Sequence, residues 1–178
     1  MPLPTSIRTE RLVLEPIDPE VVRLLIRSDR AAAQQKAART FPDEFPTADD
    51  LGGFLPIQLK RMEADPHRRD WMARLMITHQ GEVIGHCGFH GPPDVIGRAE
   101  IGYTVFEQFR GRGFATEAAH ALTQWAFTHG EERVFASVSP DNAPSLAVVR
   151  HLGFVEVGTQ EDEVDGLEVV FAIARPSP

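Results

Sequence analysis

The chain has 178 residues, 42% hydrophobic and 25% charged, and its 18 Lys plus Arg against 26 Asp plus Glu give a formal net charge of −8. That length suits one well-buried α/β domain over 1–178 and is short for two, and no apolar run approaches the roughly twenty residues of a membrane span. General nucleic-acid binding is disfavoured, because the tight basic clusters are only Arg110/Arg112 and His67-Arg68-Arg69.

The opening MPLPTSIRTERL lacks the apolar core of an export signal, and the lone Cys87 cannot form an intrachain disulfide, so a reducing cytoplasm is the expected compartment. Residues 7–16 (IRTERLVLEP) alternate well enough for one strand, terminated by Pro16 and Asp18-Pro19. Pro19 to about Ala38 is helix-prone, with Val21, Leu24 and Leu25 on one face, Asp18 as N-cap and a first-turn proline. FPDEFPTADD, dense in Pro and Asp, reads as a loop; Thr47 or Asp49 then caps a helix through Phe54, Ile57 and Met62 that Asp65-Pro66 ends. Phe41, Phe45 and Phe54 either line a pocket or, as aromatics at such spacing more often do, join the core.

Residues 71–77 (WMARLMI) and 83–89 (VIGHCGF) form a hairpin about Gly81, and Gly91-Pro92-Pro93 breaks the pattern before a central strand starting near Gly97. IGYTVF, from Ile101, suits that strand; from Ala115 the apolar residues Ala118, Ala119, Leu122, Trp125 and Ala126 recur at helical spacing. Between them lies Gln108-Phe109-Arg110-Gly111-Arg112-Gly113-Phe114-Ala115. Alternate glycines let the backbone approach a ligand, and the first helical turn offers unpaired N–H groups and partial positive charge: a cradle for a phosphate, with Arg110 and Arg112 beside it. Glu117 falls in the same turn, where a carboxylate suits the dipole in the absence of an anion.

Downstream, residues 133–138 (RVFASV) alternate as a strand, followed by Asp141-Asn142-Ala143-Pro144-Ser145, a helix, and Leu152-Gly153-Phe154. Asp141 or Asn142 caps that helix, Pro144 suits its first turn and Gly153 stops it. Residues 154–158, an acidic turn at Glu161-Asp162-Glu163 and a strand over 167–173 complete a terminal hairpin.

The glycine loop is neither GxxxxGK[ST] nor a dinucleotide GxGxxG. As Gln-x-x-Gly-x-Gly/Ala it resembles the acetyl-CoA pyrophosphate loop of the GNAT acyltransferases, and N-x-x-S followed by L-G-F resembles that family's second signature. The T-E-R-L-x-L opening is similar to the branch containing the RimJ/RimL ribosomal-protein N-terminal acetyltransferases. The resemblance covers nearly the whole chain and is specific over about 97–154. It implies the GNAT fold, a mixed and mostly antiparallel sheet of about seven strands flanked by helices.

It also implies transfer of an acetyl or other short acyl group from acyl-CoA to a primary amine without a covalent enzyme intermediate, and without a metal. Tyr103, Thr104, Val105 and Phe106 would offer backbone to the pantetheine, and Gln108 opens the loop motif. The pyrophosphate would sit on the N–H groups of Arg110, Gly111, Arg112, Gly113, Phe114 and Ala115, with the hydroxyl of Thr116 close by. Asn142 would hold the pantetheine arm. Ser145 would protonate the leaving thiolate, although many members use a helix Tyr and the one tyrosine here is Tyr103. Glu100 and Glu163 are the carboxylates expected to serve as base, Glu161 being a neighbouring candidate; His86 and His90, lone strand histidines, read as structural. Cys87, mid-strand with no partner His motif, reads as a small buried hydrophobe.

The acceptor implied is a peptide N-terminus or a small amine, whose positive charge an acidic protein attracts. A homodimer is compatible with the resemblance. Two other readings stand beside the enzyme: a non-catalytic acyl-CoA sensor of the same fold, and an acetyltransferase of polyamines or antibiotics. Intact Asn142 and Ser145 favour catalysis over the sensor.

Overall fold

The computed structural model describes residues 5–162 and 166–177. Strands β1 (Ile7–Arg8) and β2 (Leu12–Pro16) precede helices α1 (Pro19–Ile26) and α2 (Arg30–Ala37). A π-helical turn, Asp50–Phe54, runs into α3 (Leu55–Ala64), and a 3₁₀ turn, Pro66–Trp71, leads to the hairpin of β3 (Ala73–Thr78) and β4 (Val83–Phe89). One-turn α4 (Pro93–Ile96) then precedes β5 (Ala99–Val105), α5 (Phe114–Thr128), β6 (Arg133–Val138), α6 (Ala143–His151), β7 (Val155–Asp162) and β8 (Gly166–Ala174). The eight strands form one sheet in the order β1-β2-β3-β4-β5-β6-β8-β7. All neighbours are antiparallel except β5 and β6.

The sheet has eight strands rather than about seven because the alternation over 7–16 conceals a turn. Ile7 pairs with Leu14, the Thr9 N–H donates to the Leu12 carbonyl at 2.9 Å, and the Leu12 N–H donates to Thr9 Oγ1 at 2.9 Å. The expected helix over 19–38 is also two: Ser28 takes φ 61°, and Asp29 starts α2 by accepting from the Ala32 N–H. Asp18 caps α1 through the Glu20 N–H. Of the two caps considered for the next helix, Thr47 acts: its hydroxyl accepts from the Asp50 N–H while the Asp50 carboxylate accepts from the Thr47 N–H. Trp71 lies in the 3₁₀ turn and not in the strand that follows. Glu161 lies within β7 instead of a turn.

Helices cover both faces. On one, Ala118, Ala119, Leu122 and Ala126 of α5 lie on Leu14, Met76, Ile84 and Ile101, the small alanines letting helix and sheet approach closely. On the other, Val21, Val22, Leu25, Leu55 and Met62 of α1 and α3 meet Ala73, Leu75, Ile77 and Val83. Each fully buried aliphatic chain contributes roughly 1.5–3 kcal/mol. Phe41 and Phe45 belong to this second core, whereas Phe54 is half-buried. Arg74, mid-strand in β3, is wholly buried: its guanidinium donates to the carbonyls of Thr5 (2.6 Å) and Asp70 (2.9 Å) and faces the Trp125 ring.

Candidate active site

The central sheet opens where β5 meets β6. Among the described residues these parallel strands pair only at Ala99–Val134 and Glu100–Phe135, after which β6 continues on β8. The His90 N–H donates to the Glu100 carbonyl and the Phe106 N–H to the Ile84 carbonyl, each at 2.9 Å. Strand alternation therefore aims the main chain of Glu100, Gly102, Thr104 and Phe106 at β4, and that of Ile101, Tyr103 and Val105 into the gap beside β6. Phe106 is a core residue, its ring 5.2 Å from that of Phe45. The Thr104 side chain is exposed. Of the four backbone positions expected for the pantetheine, Tyr103 and Val105 thus face the gap.

The gap leads to the glycine-rich turn. Gln108 lies in an exposed 3₁₀ turn, and Arg110 Nε donates to the Val105 carbonyl at 2.9 Å, which holds its guanidinium at the strand edge. Gly111 and Gly113 have φ of 74° and 79°, a left-handed backbone that side chains strain, and a Cβ at Gly111 would meet no atom within 4 Å. Gly113 is the N-cap of α5 and supplies no side chain, so the first-turn N–H groups of Phe114, Ala115 and Thr116 are left for a ligand. Thr116 is half-buried in that turn.

Arg11, which sequence reasoning passed over, shapes this loop. Its Nη1 donates to the Arg112 carbonyl at 2.8 Å, its guanidinium lies 4.6 Å from the Phe114 ring centre, and its Nε donates to Glu117 at 2.6 Å. Glu117 also accepts from the Thr9 hydroxyl (2.6 Å) and the Arg11 N–H (2.7 Å). It is the strut between the β1–β2 turn and α5. Burial alone would raise its carboxyl; the Thr9 hydroxyl and Arg11 outweigh that and hold it below the ordinary value.

At the second junction Asn142 caps α6, its side-chain oxygen accepting from the Ser145 N–H at 3.1 Å, which leaves its amide NH₂ exposed. Gly153 closes the helix at φ 85°. The two proton-donor candidates come together here: the Tyr103 hydroxyl donates to the Ser145 carbonyl at 3.4 Å. Burial pushes the Tyr103 phenol up to about 12, with that contact pulling the other way.

Glu100 lies where β5 and β6 part, and it is buried. Arg98 Nε donates to its Oε2 at 2.8 Å, and the Ser137 hydroxyl donates to its Oε1. Gln160 extends the network, accepting from Arg98 at 2.8 Å and donating to Ser137 at 3.1 Å. These groups border a cleft of about 430 Å³ lined also by Arg61, His90 and Asp162. Glu163 lies outside the described residues, and Glu161 is exposed. His86 is buried, 3.1 Å from Asp50 and stacked on Phe54, so it is structural. Cys87 is buried too, and burial pushes its thiol up to about 12 against the pull of Arg74, which denies it a nucleophile's role.

The profile of the acetyltransferase (GNAT) domain matches residues 11–155. The chain belongs to the GNAT acetyltransferase family. Among curated relatives, the N-acetyltransferase p20 of Bacillus licheniformis is 38% identical over 49% of this chain and 50% of its own, so the alignment spans half of that relative. Among solved structures, an acetyltransferase from Agrobacterium tumefaciens str. C58 matches at a TM-score of 0.64 and 27% identity, covering 98% of this chain and 96% of that one. RimL, a ribosomal L7/L12 alpha-N-protein acetyltransferase in complex with coenzyme A, shares the fold at a TM-score of 0.64 and 19% identity, over 96% of this chain and 98% of that one.

Within this GNAT chain, Arg11, Arg61, Arg98, Ser137 and Gln160 escaped sequence reasoning. Arg11, Arg61, Ser137 and Gln160 reach the site across at least one intervening element, so no local spacing announces them, whereas Arg98 lies two residues from Glu100 and only its bonds to Ser137 and Gln160 are long-range. No helix of the described residues is long and apolar enough to cross a membrane.

Proposed function

We propose that this chain acts as one domain that transfers an acetyl group from acetyl-CoA to a primary amine by direct attack. The observation that carries this reading is the continuity between the β5 edge at Tyr103 and Val105, which β6 leaves without a strand partner, and the uncapped first turn of α5 behind Gly111 and Gly113. A strand edge offers amide partners to a chain carrying amides of its own, and a helix N-terminus beside Arg110 and Arg112 suits a pyrophosphate. CoA combines those two chemistries in one molecule and supplies an activated thioester.

The residues present fit it. The main chain of Tyr103 and Val105 would hold the pantetheine, aided by the Asn142 amide; Arg110 to Thr116 would hold the pyrophosphate. Ser145, beside Tyr103, is the proton donor for the departing sulfur. Glu100 supplies the negative charge that favours an amine at the head of the cleft, with Glu163 a second candidate for that role. The buried, protonated Cys87 supports attack without an acyl-enzyme.

A peptide N-terminus is the preferred acceptor. The fold shared with RimL, the TERL opening and the net charge of −8 support it. A cytoplasmic location and a homodimer belong to the same reading. The test is thiol release from acetyl-CoA with a panel of peptide N-termini, spermidine and an aminoglycoside. Release with an amine is expected; CoA binding with no release in the whole panel means a sensor, and release only with alcohols or thiols overturns the amine.

A further inference from the structure

We infer that His90 is the catalytic base of this site, taking the proton from the attacking nitrogen through Nε2, and that Glu100 is a positioning residue behind it. The inference rests on the acetyltransferase reading above. Four observations carry it.

The first is position. His90 follows β4 and lies over the backbone of β5, where a Cβ at Gly102 would meet its Nε2 at 3.0 Å. Gly102 is thus the space the imidazole occupies, next to the Ile101–Tyr103 edge that faces the gap. The second is access: the His90 side chain is 47% exposed and lines the cleft, whereas Glu100 is 8% exposed.

The third is what Glu100 already does. Arg98 and Ser137 occupy its two oxygens, which leaves neither oxygen free to face an attacking amine. Its Oε1 lies 3.9 Å from His90 Nδ1, beyond a hydrogen bond but close enough to stabilise an imidazolium. The two ring nitrogens therefore divide: Nδ1 faces the carboxylate and Nε2 lies over Gly102. That is the arrangement of a base backed by a carboxylate charge.

The fourth is charge. Every element packed around the ring contributes: Arg61 from α3, whose guanidinium donates to the His90 carbonyl, Arg98 and Glu100 at the start of β5, and Asp162 from β7. Desolvation of the part of the ring packed on Gly102, even with 47% of the side chain open to the cleft, and then Arg61 and Arg98 hold the imidazole below its ordinary 6.5 despite Glu100 and Asp162. It is accordingly neutral at pH 7, as a base must be.

The protons balance. As the lone pair of a neutral amine forms the C–N bond, the nitrogen sheds one proton to Nε2. The C–S bond breaks with its electron pair going to sulfur, and the sulfur takes up one proton from Ser145 or water. The imidazolium then returns its proton to that donor, so amine and thioester become amide and thiol.

Two measurements test this. In the free protein, ¹⁵N-imidazole NMR should titrate His90 below 6.5, and Glu100→Gln should move it lower still, because a carboxylate that favours the charged ring is gone. In the thiol-release panel, His90→Gln should lower kcat about a hundredfold while the acetyl-CoA Kd changes less than about twofold. At low pH, wild-type kcat/KM should fall with two protons, one on the amine and one on His90; His90→Gln should keep only the first. Added imidazole should restore part of the rate to His90→Ala, and Gly102→Ala, which presses a methyl on Nε2, should slow turnover without unfolding the chain. Wild-type rate and an unchanged pH profile in His90→Gln would overturn the base while leaving the acetyltransferase standing. A wild type that binds acetyl-CoA and acylates nothing would overturn both.

Discussion

The hydroxyl of Tyr103 on β5 donates to the main-chain carbonyl of Ser145 in the first turn of α6, at 3.4 Å. One contact therefore joins the two strand-to-helix junctions and brings both candidate acids to the same side of the gap. Tyr103 holds its proton, since burial pushes it to about 12. Its proton is already given, as a hydrogen bond, to the Ser145 carbonyl, which leaves Ser145 as the candidate to pass a proton to the sulfur. Ser145→Ala should lower kcat about tenfold to a hundredfold with little change in the CoA Kd. Tyr103→Phe should cost less than about tenfold, acting through the position of α6.

Gly113→Val tests the cradle. At φ 79° a β-branched residue is strained, by roughly 1–3 kcal/mol, and its Cβ would come within 3.4 Å of Arg11 Nη2. Calorimetry should find CoA affinity down about tenfold or more; unchanged affinity would move the pyrophosphate elsewhere.

Much of this was legible in the sequence, and what was not has identifiable causes. The glycine turn, the Asn142 cap and the Gly153 stop announce themselves because each is local, set within four residues. The break at Thr9–Arg11 did not, because the alternation over 7–16 conceals it; the Thr9–Leu12 bonds that turn the chain are held by Glu117, from a helix more than a hundred residues on. The interruption at Ser28 was hidden for a similar reason: serine carries no obligation to φ 61°, and Asp29 as a cap is one acid among several. The contacts of His90 with Gly102 on the neighbouring strand and with Arg61 on α3 were out of reach for the same reason. Pairings of that range leave no period or spacing to read.

The Glu117 strut gives a pH dependence. Its folded carboxyl lies below the ordinary 4.5, so the stabilisation is fully present above that value and is lost as pH falls through the lower, folded one. Thermal melts should show wild type losing Tm faster than Glu117→Gln as pH drops below about 4.5. At pH 7, Glu117→Gln should melt about 2–4 °C lower, the equivalent of roughly 1 kcal/mol for a chain of this size. Parallel curves for the two proteins would contradict the strut.

Cys87 should be dispensable. Its thiol is buried and protonated, so Cys87→Ala should keep wild-type kcat and lose only about 1 kcal/mol of stability to the missing sulfur. Iodoacetamide should leave the native enzyme active. Inactivation by a single alkylation at Cys87, or loss of turnover in the alanine variant, would argue for an acyl-enzyme.

The most direct measurement is a crystal structure of the protein with CoA. The account predicts the pantetheine amides paired with the main chain of Tyr103 and Val105, the pyrophosphate on the N–H groups between Gly111 and Thr116, and the sulfur near Gly102 and His90. CoA bound on another surface, or β5 and β6 closed against each other with the cofactor displaced, would contradict it.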